Sequence, residues 1–215
     1  LARYKAMFRG TFYRRFVLGE WAAAEGLVYD FFGPELVQPV PESLDGPWYI
    51  SCDYGTVNPT SMGLWGQKGG VWYRTAEFYY DSRKTGRQQT DGEYADDLAR
   101  LAGGRDIRGV VLDPSAASFR EELIRRGWTV YRAENEVLSG IRRTAELLRA
   151  GQLVICSPCE DAIREFGLYR WDTAATGDRV VKEHDHAMDD IRYFAVTVAS
   201  RRSEGFFAGA VERSG

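Results

Sequence analysis

The stretch WYISCDYG, residues 48–55, runs apolar through Trp48, Tyr49 and Ile50 and then sets Asp53 just before Gly55 breaks the run. A carboxylate at a strand end is ordinarily a turn residue, because its side chain bonds the backbone two positions on. The arrangement recurs: GVVLDPS, residues 109–115, carries Val110, Val111 and Leu112 into Asp113 and is stopped by Pro114. Two such endings mark a candidate site.

Working outward, a proline-rich stretch over 33–47, with Pro34, Pro39 and Pro41, leads into the first strand. Strand-like runs over 60–67 and 71–79 follow, joined by Lys68-Gly69-Gly70, a connection of hairpin type. With the strand ending at Asp53 they make an antiparallel meander. Thr90 or Asp91 caps a helix with Tyr94, Leu98 and Leu101 at helical spacing, and Gly103-Gly104 closes it. A helix between strands implies a crossover to a parallel partner. The strand ending at Asp113 is therefore expected beside the one ending at Asp53, pointing the same way.

The second half continues in α/β fashion. Helices are expected over 119–126, 141–150 and 160–166, with strands over 128–131 and 153–156, then a polar hairpin or long loop around Gly177. The last strong element is HAMDDIRYFAVTVAS, residues 186–200. On a helical wheel His186, Asp189, Asp190, Tyr193 and Thr197 share one face, and Ala187, Ile191, Phe194, Ala195 and Val198 another. The apolar face is expected on the sheet. Two adjacent aspartates with a histidine one turn earlier repel unless something compensates, such as a cation. Laid across the ends of the two parallel strands, where α/β sheets bind ligands, this helix supplies a third carboxylate. Oxygen donors suit Mg²⁺ or Mn²⁺ rather than zinc.

Composition sets the limits. The 215 residues are 44% hydrophobic and 13% aromatic, enough for one sizeable core. No apolar run approaches the roughly 18 residues that span a bilayer, and no secretory leader opens the chain, so a soluble protein is expected. Cys156 and Cys159 form a lone C-x-x-C without a second pair, which reads as two thiols in a reducing compartment rather than a zinc site. Net charge is −3 and the pI about 5.6, an unusual balance for a protein that lives on nucleic acid. Arginine and lysine nevertheless concentrate over residues 1–19 and at Arg83, Lys84 and Arg87. Such clusters hold phosphates or are solvated faces.

These landmarks resemble a known family. CDYG after a strand, LDPSAASF after the next parallel one and DHAMDDIRY opening the closing helix are similar to the nuclease domain of large terminase subunits of tailed bacteriophages. FVLGEWAAAEGLVYDFF, ENEVLSGI, EFGLYRWD and VVKEHDHAMDD resemble further landmarks in the same order, so the likeness runs from about Phe16 to Val198. It implies an RNase H-like fold: an α/β mixed central sheet with a three-strand antiparallel meander plus parallel strands, flanked by helices. It implies that residues 1–46 link to an ATPase domain, 47–202 form the nuclease domain and 203–215 a flexible tail. No Walker motif occurs, so the ATPase is expected outside this sequence.

The resemblance further implies a metal-dependent endonuclease that cuts concatemeric viral DNA during genome packaging, with little sequence specificity, in the host cell cytoplasm. Asp53, Asp113 and Asp189 are its expected catalytic metal ligands for two divalent ions, Mg²⁺ or Mn²⁺, with His186 beside them. Asp190 departs from the small residue usual in the family, which leaves open whether Asp189 or Asp190 serves. Lys182, Arg83, Lys84 and Arg87 are candidate contacts to double-stranded DNA; the ATPase domain, the small terminase subunit and the portal are the implied partners. Three other readings use the same features. DYGT also resembles the phosphate loop of actin-like and sugar-kinase ATPases, a junction resolvase or ribonuclease H uses a similar triad, and a non-catalytic DNA-binding module would use the basic clusters alone.

Overall fold

The computed structural model describes residues 26–201 except 176. The basic leading segment, the first part of the expected linker and the expected tail lie outside the described residues. Seven strands form one sheet: β1 (Val37–Gln38), β2 (Trp48–Asp53), β3 (Thr60–Lys68), β4 (Val71–Tyr80), β5 (Ile107–Leu112), β6 (Val130–Arg132) and β7 (Leu153–Cys156). Their order is β1-β7-β4-β3-β2-β5-β6. β2, β3 and β4 are the antiparallel meander, and every other pairing is parallel.

Among the described residues six α-helices accompany the sheet: α1 (Ser82–Thr85), α2 (Asp91–Ala102), α3 (Ala117–Arg125), α4 (Val137–Arg149), α5 (Glu160–Phe166) and α6 (His186–Thr197). The cap of α2 is Thr90, in a reciprocal capping box with Glu93, and Gly103 ends the helix in the left-handed conformation. Such a box satisfies two otherwise orphaned N–H groups at the entrance of the crossover. α4 starts four residues earlier than its apolar spacing indicated, because the Glu136 carboxylate accepts from Leu138 and Ser139 N–H and caps it.

Alternate residues of β2 serve different layers. Ile50 and Cys52 join Met62, Leu64, Val110 and Leu112 under α2 and α3. Tyr49 joins Trp65, Trp72 and the buried faces of α4, α5 and α6 on the other side. Phe194 of α6 stacks on Trp65 with ring centroids 4.1 Å apart and meets Trp72 edge-on at 5.1 Å. Burial of such a ring contributes about 1.5–3 kcal/mol, and a ring pair about 0.5–1.5 more. These contacts seat α6 on the sheet over Trp65 of β3 and Trp72 of β4.

One difference from the sequence reading is local. Part of the expected linker belongs to the core: Tyr29 and Phe32 are buried against Phe166, and β1 pairs with β7. Its prolines concealed a two-residue strand. All three cysteines are buried and free; Cys159 donates to the Arg74 carbonyl, which fits a packing role. Among the described residues no helix is long and apolar enough to cross a membrane.

Candidate active site

The pleat puts Asp53 on the α6 side of the sheet, two residues after Ser51, which bonds α6, and four after Tyr49. Cys52 pairs with Leu112 in the parallel β2–β5 ladder, and Asp113 N–H extends it to the Cys52 carbonyl at 3.2 Å. Register thus brings both strand-end aspartates level. Asp113 is also a turn residue, since its carboxylate accepts from Ser115 N–H and Oγ, each at 2.9 Å. Asp53 instead meets Nδ1 of His186 at 2.9 Å.

α6 brings in the third acid. His186, Asp189 and Tyr193 line the same cavity, as their spacing of three and seven residues on a helix requires. The Asp189 Oδ1 accepts from Arg192 Nη2 at 3.0 Å and Nε at 3.3 Å, and its Oδ2 from Lys182 Nζ at 3.4 Å. Lys182 also reaches Asp185 at 3.3 Å.

Asp190 does not join them. It is fully buried toward the sheet, where its carboxylate accepts from Ser51 Oγ at 2.8 Å, from Ser61 Oγ, and from both terminal nitrogens of Arg74, Nη2 at 3.0 Å. The polar face read from the helical wheel is therefore two environments, and α6 is buried on both sides. The physical reason is charge. Two adjacent carboxylates in a partly dry site are tolerated because each has its own guanidinium. Neither arginine was singled out from the sequence. Signals existed: Arg192 follows Asp189 by three on a helix, and Arg74 is the one basic residue within the strand VWYRTAEFYY.

The acids open into a cavity of about 790 Å³ whose lining includes Asp53, Asp113 and Asp189 and, around them, Arg83, Lys84, Arg164 and Lys182. Arg83 donates to Asn58 Oδ1 at 2.6 Å, and Lys84 lies near Asp81 with its side chain 72% exposed. Arg87, grouped with them in the sequence, is instead paired with Glu93 beside α2 and does not line the cavity.

Charges in the cavity shape one another. Burial pushes the Asp53 carboxyl up from its ordinary 3.8 to about 7; the His186 hydrogen bond opposes this, and repulsion from Asp189 and Asp113 adds to it. Burial disfavours charge on His186 too, but Asp53 outweighs it and its pKa is raised. Lys182 is likewise held charged, because Asp189 and Asp185 outweigh its burial.

Among the described residues no group of three or more His, Cys, Asp or Glu side chains stands gathered to hold a metal ion. Asp113 is bonded to Ser115, and Asp189 to Arg192 and Lys182. The donor chemistry nonetheless fits a divalent cation: three carboxylates and an imidazole on one cavity, with one carboxyl driven toward neutrality partly by its neighbours' charge. All are hard donors or borderline ones, as Mg²⁺ and Mn²⁺ accept.

Known structures decide the family. The fold is similar to the large terminase of a thermophilic bacteriophage in complex with ADP, at 43% identity and a TM-score of 0.78, over 92% of this chain and 51% of that one. The chain belongs to the large terminase family. It spans about half the length of that relative. Two other terminase structures are alike in fold. The P22 large terminase nuclease domain has 18% identity and a TM-score of 0.66, over 82% of this chain and 94% of its own. The nuclease of the large terminase from thermophilic phage G20c with bound magnesium has 16% identity and a TM-score of 0.61, over 80% and 97%. The mixed sheet flanked by helices is the RNase H-like arrangement of terminase nuclease domains. No protein-family model matches the chain, and no curated protein does.

Proposed function

We infer that this part of the terminase is a divalent-metal-dependent DNA endonuclease that cuts concatemeric viral DNA during packaging, with little sequence preference. The observation that carries the reading is the placement of Asp53, Asp113 and Asp189, from two parallel strands and the closing helix, on one cavity rimmed by Arg83, Lys84 and Lys182. The G20c terminase nuclease, alike in fold, was solved with bound cobalt and with bound magnesium.

Asp53, Asp113 and Asp189, with His186 beside them, are the residues that would hold two divalent ions. Such ions supply an activated water and neutralise charge on the departing oxygen of a phosphodiester. Because of this, the chain needs no nucleophile of its own. Asp190 is assigned no ligand role, since Arg74, Ser51 and Ser61 bind its carboxylate. His186 meets Asp53 through Nδ1, and the ionised carboxylate favours the charged imidazole. Ser115 orients Asp113 from two atoms. Lys182, exposed over most of its length, Arg83 and Lys84 bind the phosphates flanking the cut.

Phosphate contacts position a duplex without reading its bases, which matches cutting without a fixed site. The terminase ATPase domain, the small subunit and the portal are the proposed partners that keep DNA at high local concentration. Incubation of the purified chain with supercoiled plasmid and Mn²⁺ tests the reading. Nicked, linear and degraded products that vanish with EDTA are expected; cutting that survives chelation, or duplex binding without any cutting, would overturn it.

A further inference from the structure

Asp189 and Asp190 are neighbours on α6, yet they are held in opposite directions. Each meets a buried arginine, and each arginine is admitted by a glycine on the element facing it. Arg192 is 2% exposed. Its Nη2 and Nε converge on Oδ1 of Asp189, while Nη1 donates to the Glu136 carbonyl at 3.2 Å. A Cβ added at Gly140 of α4 would stand 2.7 Å from both Cγ and Cδ of Arg192. On the other side, a Cβ at Gly63 of β3 would overlap Nη1 of Arg74. Contacts this short force something to shift, so Gly140 leaves room for the stem of Arg192 and Gly63 for the guanidinium of Arg74.

The consequence for Asp189 is directional. With Oδ1 held by two N–H groups, Oδ2 is the oxygen turned to mobile cations, and Lys182 Nζ already approaches it. We propose that Arg192, kept in place by the missing side chain at Gly140, is a positioning residue that presents Asp189 to the cation site through one oxygen, while Arg74 withholds Asp190 from it. This rests on the metal-dependent reading above. Groups that orient a metal ligand typically matter about 10- to 100-fold in metal affinity, and a lysine keeps the charge without the planar fork.

The test is Mn²⁺ titration of the full chain by calorimetry, at a temperature well below melting. Gly140→Ala leaves every cavity residue unchanged and favours the helix, so it acts on the site through Arg192. Arg192→Lys removes the fork directly. Both are expected to weaken Mn²⁺ binding about tenfold, whereas a merely structural loss lowers the melting temperature and leaves the affinity of folded molecules unaltered. Affinity within about twofold of wild type in both variants would overturn the proposal. If Gly140→Ala does not fold, Arg192→Lys decides alone. Asp189→Asn is the control: if it binds Mn²⁺ as wild type does, or if wild type binds none, the metal-site reading itself fails and the positioning role falls with it.

Discussion

Removing the Asp53 carboxylate should make the metal-free protein more stable. Its carboxyl is displaced from 3.8 to about 7, chiefly by burial, so the folded state binds that proton more tightly than the unfolded chain does. The penalty of ionisation is absent below the ordinary pKa, accumulates as pH rises through the window from 3.8 to about 7, and is complete above it. At about 1.4 kcal/mol per pH unit the full cost is about 4 kcal/mol. Sharing of the proton with His186 and water relaxation in the open cavity reduce this, so about 2–4 kcal/mol is the expected gain for Asp53→Asn at about pH 8. Urea unfolding in EDTA measures it. The advantage should be larger at about pH 8 than at about pH 5 by up to about 2–3 kcal/mol. In saturating Mn²⁺ the order should reverse, because only the wild type gains from cation binding. A variant no more stable than wild type at alkaline pH without metal, or an advantage that ignores pH, would refute the reasoning.

Chelation should abolish cutting while circular dichroism shows the fold intact, and activity should return with Mn²⁺ and more weakly with Mg²⁺. Asp113→Asn and Asp189→Asn should each eliminate plasmid cleavage at temperatures where the protein is folded; the first should leave the melting temperature little changed, and the second should lower it, since it removes the charge that the buried Arg192 faces. Asp190→Asn should instead destabilise by about 3–5 kcal/mol, since it strands the buried Arg74 charge; a thermal melt beside the cleavage assay separates the two outcomes, and a cutting Asp189→Asn with a silent, stable Asp190→Asn would reverse the assignment. Arg83→Ala, Lys84→Ala and Lys182→Ala should each weaken duplex binding and reduce the salt-dependence slope by about 1, with Arg87→Ala unchanged, as measured by fluorescence anisotropy across a salt series.

Much of the fold was legible because its signals are local. The meander is written in three apolar runs and a glycine hairpin, and the crossover in a capped helix between two strands, so the parallel pairing of β2 with β5 and the levelling of Asp53 with Asp113 followed from chain geometry. What Tyr29 and Phe32 meet across the chain was not legible, because the proline content of the stretch that follows them describes local stiffness alone. Their partner, Phe166, is more than a hundred residues away, and pairing at that separation leaves no periodic trace.

The last helix shows why the site was only half legible. Helical spacing brought His186, Asp189 and Tyr193 together correctly, because that depends on one helix alone. Where Asp190 goes depends on Arg74 of β4 and on hydroxyls from β2 and β3. A wheel assigns a carboxylate to the solvated face by its polarity, yet polarity is equally satisfied by a buried guanidinium, and the choice lies with the facing strands. The repulsion inferred from two adjacent aspartates was a sound premise that admits two kinds of compensation. One is a bound cation; the other is a cation built into the chain. This protein uses the second for Asp190 with Arg74, and for Asp189 it uses Arg192 on one oxygen while the exposed Lys182 sits on the other. Only the Lys182 contact is easily given up, because a mobile, solvated ammonium yields its place at little cost whereas a guanidinium fixed in a glycine-cleared pocket does not. On the proposed metal-dependent reading, the Asp189 oxygen open to a cation is therefore decided by which of the two protein cations can leave.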